Sequence, residues 1–156
     1  MIEALFKITE DQWQPWRPGT PRPSSPGVGP EFWQGEFLKD VGKARIEGRR
    51  RFSVRAGHGV GKSTIEAWLI LWFVLFHRNL KCPVTANSQD QLRDTVWPEI
   101  AKWWRRLPPL LKDQLEVGAE RVSVKADPEG SFATQRTASR DRPEALQGFH
   151  AEHLLF

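Results

Sequence analysis

Apolar residues recur along this chain at helical spacing in two early segments. Residues 31–47, EFWQGEFLKDVGKARIE, carry part of an apolar helical stripe, and Gly48 follows as a stop signal. Residues 67–76, AWLILWFVLF, are apolar on most faces, which predicts a helix that other elements must cover. Ten residues are too few to cross a bilayer, so we expect a buried helix and no membrane segment.

Shorter alternating segments predict the strands between these helices. The predicted strands are RRRFSVRA (49–56), KCPVTAN (81–87), ERVSVKA (120–126) and GSFATQRTA (130–138). The last two should form a hairpin across DPEG. Strand, loop, helix, strand and helix in this order produce a parallel sheet with helices on its faces. The sequence therefore predicts an α/β fold whose sheet is mainly parallel.

Three further segments complete the predicted order. SQDQLRDTVWPEIAKWWRRL is an amphipathic helix with Ser88 as its N-cap, and Pro98 should kink or break it. PPLLKDQL predicts a short helix. The final segment, PEALQGFHAEHLLF, predicts a short helix and then the opening of a strand.

The proline content divides the chain into an arm and a domain. Residues 15–30 hold six prolines and three glycines, which favours a linker, so residues 1–30 are interpreted as an N-terminal arm. Residues 31–156 form the predicted domain. Because its last segment is an apolar run without a turn or cap, we expect a piece of a larger domain whose sheet is incomplete at the C-terminus.

Composition narrows the function only slightly. The net charge of +4 permits nucleic acid as a partner without demonstrating it. The one cysteine, Cys82, excludes an internal disulfide and is expected to be a small core residue in a reducing cytoplasm. His150 and His153 have a spacing that could suit a metal, but no cysteine or carboxylate set accompanies them, so ordinary core or surface histidines are expected.

A glycine-rich stretch, RAGHGVGKST at residues 55–64, separates a predicted strand from the predicted buried helix. It matches the phosphate-loop (Walker A) pattern G-x-x-x-x-G-K-[ST], in which backbone N–H groups and a helix N-terminus surround phosphate. Lys62 should reach the β- and γ-phosphates, and Ser63 or Thr64 should face Mg²⁺, with Ser63 at the motif position. The candidate nucleotide-binding residues are Gly57, His58, Gly59, Val60, Gly61, Lys62, Ser63 and Thr64. The alternative is an ordinary glycine-rich turn, which the flanking strand and helix argue against.

The first glycine of the pattern is replaced by Ala56. A methyl group there is tolerable if the residue keeps a negative φ. Gly57 and Gly59 are then available for left-handed turns, and the close approach to phosphate belongs to the later glycines.

Four blocks in this order resemble the ATPase domain of phage and prophage terminase large subunits, motors that package DNA into capsids. They are EFWQGEFLKD, RRFSVRAGHGVGKST, VTANSQDQLRDTVWPEIAKWW and EALQGFHAEHLLF. The resemblance implies a RecA-like P-loop fold with a strand added between the phosphate-loop strand and the acidic-motif strand. It also implies ATP and Mg²⁺ as cofactors, double-stranded DNA, a terminase small subunit and a portal as partners, self-association into a ring, and a cytoplasmic location in a bacterial host.

The resemblance also assigns roles outside the loop. Gln34 matches a glutamine that reads adenine, although a solvated helix glutamine is the alternative. Arg136 is the first choice for an arginine finger and Arg142 the second, with Arg140 in the same segment. Any single arginine could equally be solvated. The block with Thr85, Ser88 and Gln91 would lie near the nucleotide or the DNA, or would only cap and solvate its helix.

The family's catalytic carboxylates follow the strand that LQGFHAEHLLF opens, and the sequence ends at Phe156 without them. Loss of a general base typically costs about 10²- to 10⁴-fold in rate, so we expect ATP binding with poor hydrolysis. Two alternatives stay open at this point. One is a helicase-like P-loop NTPase acting on nucleic acid, and the other is a non-catalytic prophage remnant that only binds nucleotide.

Overall fold

The computed structural model describes residues 31–47, 51–86, 88–137 and 150–155. These residues fall into two compact units, one ending at Val60 and the other starting at Gly61. In chain order the elements are α1 (Phe32–Glu47), α2 (Lys62–Phe76), β1 (Leu80–Ala86), α3 (Gln89–Gln91), a π-helical turn (Leu92–Val96), α4 (Trp97–Arg106), α5 (Pro109–Lys112), β2 (Leu115–Val117), β3 (Arg121–Val124), β4 (Phe132–Thr137) and β5 (His153–Leu154). The predicted arm, residues 1–30, and the predicted helix after Pro143 lie outside the described residues.

Helix α1 confirms the prediction for residues 31–47. The side chain of Gln34 turns back to the helix start, where its Oε1 accepts a hydrogen bond from the Glu31 N–H at 2.8 Å. A glutamine three residues after the N-cap position often satisfies a donor that the helix leaves open in this way. Ala44 is buried on the same helix.

The strand predicted from RRRFSVRA is wrong for its described part, residues 51–56, which form neither strand nor helix. Alternating apolar residues make a strand only where a neighbouring strand supplies the hydrogen-bond ladder. Here Phe52 and Val54 stay 40% and 38% exposed. The ring of Phe52 packs edge-on against Phe37 of α1, with centroids 5.8 Å apart.

Helix α2 has the burial that its apolar sequence predicts. It begins after Gly61, and its last residue is followed by His77, whose N–H donates to the Phe73 carbonyl at 3.0 Å. Its buried residues are Ile65, Ala67, Trp68, Ile70, Leu71 and Val74. No helix of the described residues is long and apolar enough to cross a membrane.

Within the described residues the sheet has five strands, in the order β2-β3-β4-β1-β5. Strand β1 is parallel to both β4 and β5, whereas the β2–β3 and β3–β4 pairs are antiparallel. The α/β class is therefore confirmed, but the prediction of a mainly parallel sheet is wrong. Residues 125–131 join β3 to β4, and so short a connection allows only antiparallel pairing. The predicted hairpin and the opening strand at β5 are both present, and β2 was not predicted.

Pro98 lies where the α-helical ladder is interrupted, which agrees with the predicted kink or broken turn. Ser88 caps the segment as predicted, because its Oγ accepts from the Gln91 N–H at 3.2 Å. The helix then widens into the π-helical turn, in which the Trp97 N–H donates to the Leu92 carbonyl. Pro98 has no N–H to donate to the preceding turn, whose residues are already helical, and the π-helical turn lies directly before it.

The core of the second unit lies between the sheet and the pair α2 and α4. The indole rings of Trp68 and Trp103 meet edge-on, with centroids 4.9 Å apart. Buried side chains of the sheet complete this core, namely Leu80, Cys82, Leu115, Val122 and Ala133. Cys82 is 2% exposed, which confirms the prediction of a core residue, and this burial raises the pKa of its thiol to about 12.

Candidate phosphate-binding site

Two glycines of the glycine-rich loop have a left-handed backbone, whereas residues 51–56 before the loop do not form the expected strand. Gly59 and Gly61 adopt left-handed conformations, with φ of 72° and 80°. Gly57, also expected to take this conformation, does not. Among the described residues other than glycine, Asn79 alone has a positive φ, so Ala56 keeps the negative φ that its side chain requires.

The first turn of α2 presents the polar residues of the motif. Lys62, Ser63 and Thr64 are half-buried, directly after the left-handed Gly61. Gly61 has no side chain to cap the helix, and the first N–H groups of any helix lack partners within it. Such a helix start carries a partial positive charge and favours an anion.

The charge of Lys62 affects the pKa of Glu66, one helical turn later. Partial desolvation raises the pKa of the Glu66 carboxyl, and the nearby Lys62 ammonium opposes that rise. The carboxyl and the ammonium therefore influence each other within one helical turn, although Glu66 keeps contact with solvent.

Thr64 is tied to a helix 35 residues further along the chain. Its Oγ1 lies 2.7 Å from Oε1 of Glu99, in the first turn of α4. The same oxygen accepts from the Trp103 indole N–H at 2.8 Å and from Lys102 Nζ at 3.0 Å. Glu99 therefore accepts hydrogen bonds from three side-chain donors, one of them in the first turn of α2.

The charge state of Glu99 follows from these contacts. Burial of the carboxyl raises its pKa, but hydrogen bonds from Thr64, Lys102 and Trp103, together with the positive charge of Lys102, outweigh burial. The pKa of Glu99 is therefore below its usual value, and the side chain is ionised at neutral pH. An ionised carboxylate only accepts hydrogen bonds, so the Thr64 hydroxyl must be the donor.

Arg136 lies at the carboxyl end of β4, exposed, with Thr85 of β1 in register beside it. Helix α2 is about 22 Å long and β1 about 23 Å, and only residues 77–79 connect them. Helix α2 must therefore run back against β1. Its first turn lies toward the end of this unit where β1 and β4 finish. The other two candidate arginines, Arg140 and Arg142, lie outside the described residues.

Gln34 belongs to the first unit, and its observed contact is structural. The side chain is 4% exposed, and its carbonyl oxygen serves the start of α1. Its contact with adenine stays a prediction. Ser88 likewise has the capping role that was the alternative to a nucleotide or DNA contact.

The histidines do not form a metal site in the described part of the chain. His153 lies 3.9 Å from the Glu152 carboxylate, and its ring meets that of His77 edge-on at 5.1 Å. No group of three or more potential metal ligands occurs among the residues that the structure describes. The interpretation of His150 and His153 as ordinary core or surface residues stays a prediction.

Glu99 is the residue of this site that sequence reasoning missed. It lies 38 positions after the last loop glycine, in a helix whose pattern indicated only amphipathic packing. No local signal distinguishes it from other helix glutamates. Only the packing of α4 on α2 brings its carboxylate to Thr64.

Comparison with known proteins gives one distant similarity. Over 109 residues the chain is 29% identical to a protein described as "Probable terminase, large subunit" of Enterobacteria phage P7. The aligned part covers 67% of this chain and 22% of that relative, so the chain spans about a fifth of the relative's length. No protein-family model and no solved structure matches. The chain is therefore distantly similar to a phage terminase large subunit.

Proposed function

We propose that this chain is the nucleotide-binding part of a phage DNA-packaging motor of the terminase large-subunit type, with a RecA-like P-loop fold. It would bind ATP with Mg²⁺ and couple hydrolysis to translocation of double-stranded DNA. The observation that carries this proposal is the left-handed pair Gly59 and Gly61 leading directly into the helix that begins Lys62-Ser63. The distant similarity to a terminase large subunit supports the motor class.

Each residue of the loop has a role in this proposal. Backbone N–H groups from Gly57 to Gly61 would surround the β-phosphate, and the start of α2 would add its partial positive charge. Lys62 would neutralise the β- and γ-phosphates, and the Ser63 hydroxyl would bind Mg²⁺. The hydrogen bond from Thr64 to Glu99 would hold the first turn of α2 in place.

Two residues outside the loop have proposed roles. Arg136 would act as an arginine finger on the transition-state charge, which requires a nucleotide near the end of the sheet where β4 finishes. Gln34 would read adenine, because a side-chain amide can both donate and accept hydrogen bonds. The partners are double-stranded DNA, a small subunit, a portal and further copies in a ring, in the bacterial cytoplasm.

Nucleotide binding is the first experiment, because it needs only the loop and its helix. Titration of the purified chain with a fluorescent ATP analogue and Mg²⁺ should saturate. Lys62→Ala should weaken binding at least about 100-fold, since several charge-assisted bonds to phosphate are lost. The matched control is Lys125→Ala, which removes the same charge from an exposed position after β3 and should bind like the parent chain.

Two results would contradict the proposal. Absence of saturable binding by the parent chain would remove the phosphate site. Equal affinity of Lys62→Ala and the parent would show that the nucleotide lies elsewhere. A second experiment measures DNA binding in the presence of nucleotide. A packaging motor should bind double-stranded fragments. A preference for single-stranded DNA would favour a helicase-like protein.

A further inference from the structure

Helices α2 and α4 are joined by two successive side-chain contacts of opposite character. Thr64 bonds to Glu99, and one turn later Trp68 packs against Trp103. The second contact lies four residues after the first on both helices. The two helices therefore run in the same general direction. The polar contact is the one that adjoins the phosphate loop.

The hydrogen bond restricts what Thr64 can do for a ligand. A threonine hydroxyl has one hydrogen to donate, and here that hydrogen is directed to Glu99 at 2.7 Å. Phosphate oxygens are acceptors at neutral pH, so Thr64 cannot donate to phosphate while this bond exists. The hydroxyl of its neighbour Ser63, at the motif position, would therefore be the one that contacts the ligand.

The bond also anchors the turn that carries Lys62 and Ser63. Gly61 contributes no capping side chain to the start of α2, so a tertiary contact is one way to hold this turn in place. Glu99 is itself held in place by Trp103 and Lys102, and its side chain is only 19% exposed. A half-buried carboxylate that accepts several hydrogen bonds is a more rigid support than a solvated one.

We propose that Glu99 is a positioning residue of the phosphate site, acting through Thr64 to hold the first turn of α2 in the geometry that receives the triphosphate and Mg²⁺. This inference rests on the proposed function. Glu99 does not touch the ligand, so its effect on nucleotide affinity passes through Thr64.

A double-mutant cycle tests this coupling. Nucleotide affinity is measured with Mg²⁺ for the parent chain, Thr64→Val, Glu99→Ala and the double variant. Each single change should weaken binding about 10-fold, the typical effect of losing a hydrogen bond to a charged group. The double variant should bind within a factor of about 2 of the singles, because both changes remove the same contact.

Two conservative variants provide the controls. Glu99→Gln keeps an oxygen that can accept the Thr64 hydroxyl, so it should recover part of the affinity that Glu99→Ala loses. Asp94→Asn makes the same carboxylate-to-amide change on an exposed residue of the preceding turn, bonded to Arg93, and should leave affinity unchanged. Urea unfolding of each variant separates folding from binding.

The outcomes distinguish this inference from the function on which it rests. If the parent binds nucleotide and the Glu99→Ala chain is less stable but binds equally well, Glu99 only supports packing and the inference is overturned. Additive losses in the double variant would also overturn it. If the parent chain binds no nucleotide, the proposed function and this inference are both overturned.

Discussion

The first turn of α2 differs from the three turns that follow it in the polarity of its residues and in its contacts to α4. Lys62, Ser63 and Thr64 are polar and half-buried, and their tertiary contact to α4 is a hydrogen bond to a carboxylate. From Ile65 to Val74 the helix is largely buried and apolar, and its contact to α4 is a pair of indole rings. The polar side chains of the proposed phosphate site are therefore confined to one end of a helix whose remainder forms the core.

This division has a physical consequence. The apolar turns gain free energy by removing area from water, which does not depend on the exact orientation of one atom. The polar turn gains little net free energy, but its hydrogen bond sets the direction of a single hydroxyl. Changes in the apolar turns should therefore affect stability, and changes in the polar turn should affect ligand geometry.

The largest expected effect on stability is in the apolar turns. Trp68→Ala removes an indole that is 2% exposed and leaves a cavity against Trp103. It should lower the free energy of unfolding by about 3–5 kcal/mol, measured by urea denaturation. Thr64→Val, at the polar end of the same helix, is the control, and its loss should be clearly smaller because it removes one hydrogen bond. Equal losses would break the contrast between the two ends of the helix.

A smaller effect is expected in the loop, where two glycines differ only in backbone conformation. A Cβ added at Gly57 or Gly59 meets nothing within 4 Å, but Gly59 alone has a left-handed φ. Gly59→Ala should cost about 1–2 kcal/mol of unfolding free energy. Gly57→Ala should cost nothing, or gain about 0.4–1 kcal/mol because the unfolded chain loses freedom. A reversed order would contradict the left-handed loop.

The smallest effect is the pH dependence of the Glu99 contact. The pKa of Glu99 is below its usual value near 4.5, so the folded state favours the ionised form. This stability is present above about pH 4.5 and is lost as pH falls through the lowered folded-state pKa. Glu99→Gln should therefore lose less stability than the parent between pH 6 and pH 3. Parallel stability curves for the two chains would contradict an ionised, hydrogen-bonded Glu99.

Elements with a local cause could be predicted from the sequence. Helix α2 follows from a continuous apolar run after a glycine, and the cap at Ser88 follows from the local preference of a serine hydroxyl for a helix N-terminus. The β3–β4 hairpin follows from two alternating segments around a short turn. In each case the residues that decide the element are close together in the chain.

Elements that depend on a distant partner were not predicted. Residues 49–56 alternate like a strand. Their described part, residues 51–56, forms no strand hydrogen bonds, and Phe52 packs on Phe37. Strand β2 has only three residues and is defined by its pairing with β3. The mixed sheet follows from which strands meet, and periodicity carries no information about that choice.

The phosphate site divides in the same way. Local sequence specified the glycines at 59 and 61, the helix start and the lysine and serine beside it, because backbone sterics and helix capping act within a few residues. The tertiary structure alone brought Glu99 to Thr64 across 35 positions and committed that hydroxyl to the protein. A contact of this kind arises from the burial of α2 against α4, which is a property of the whole packed unit and of no single segment.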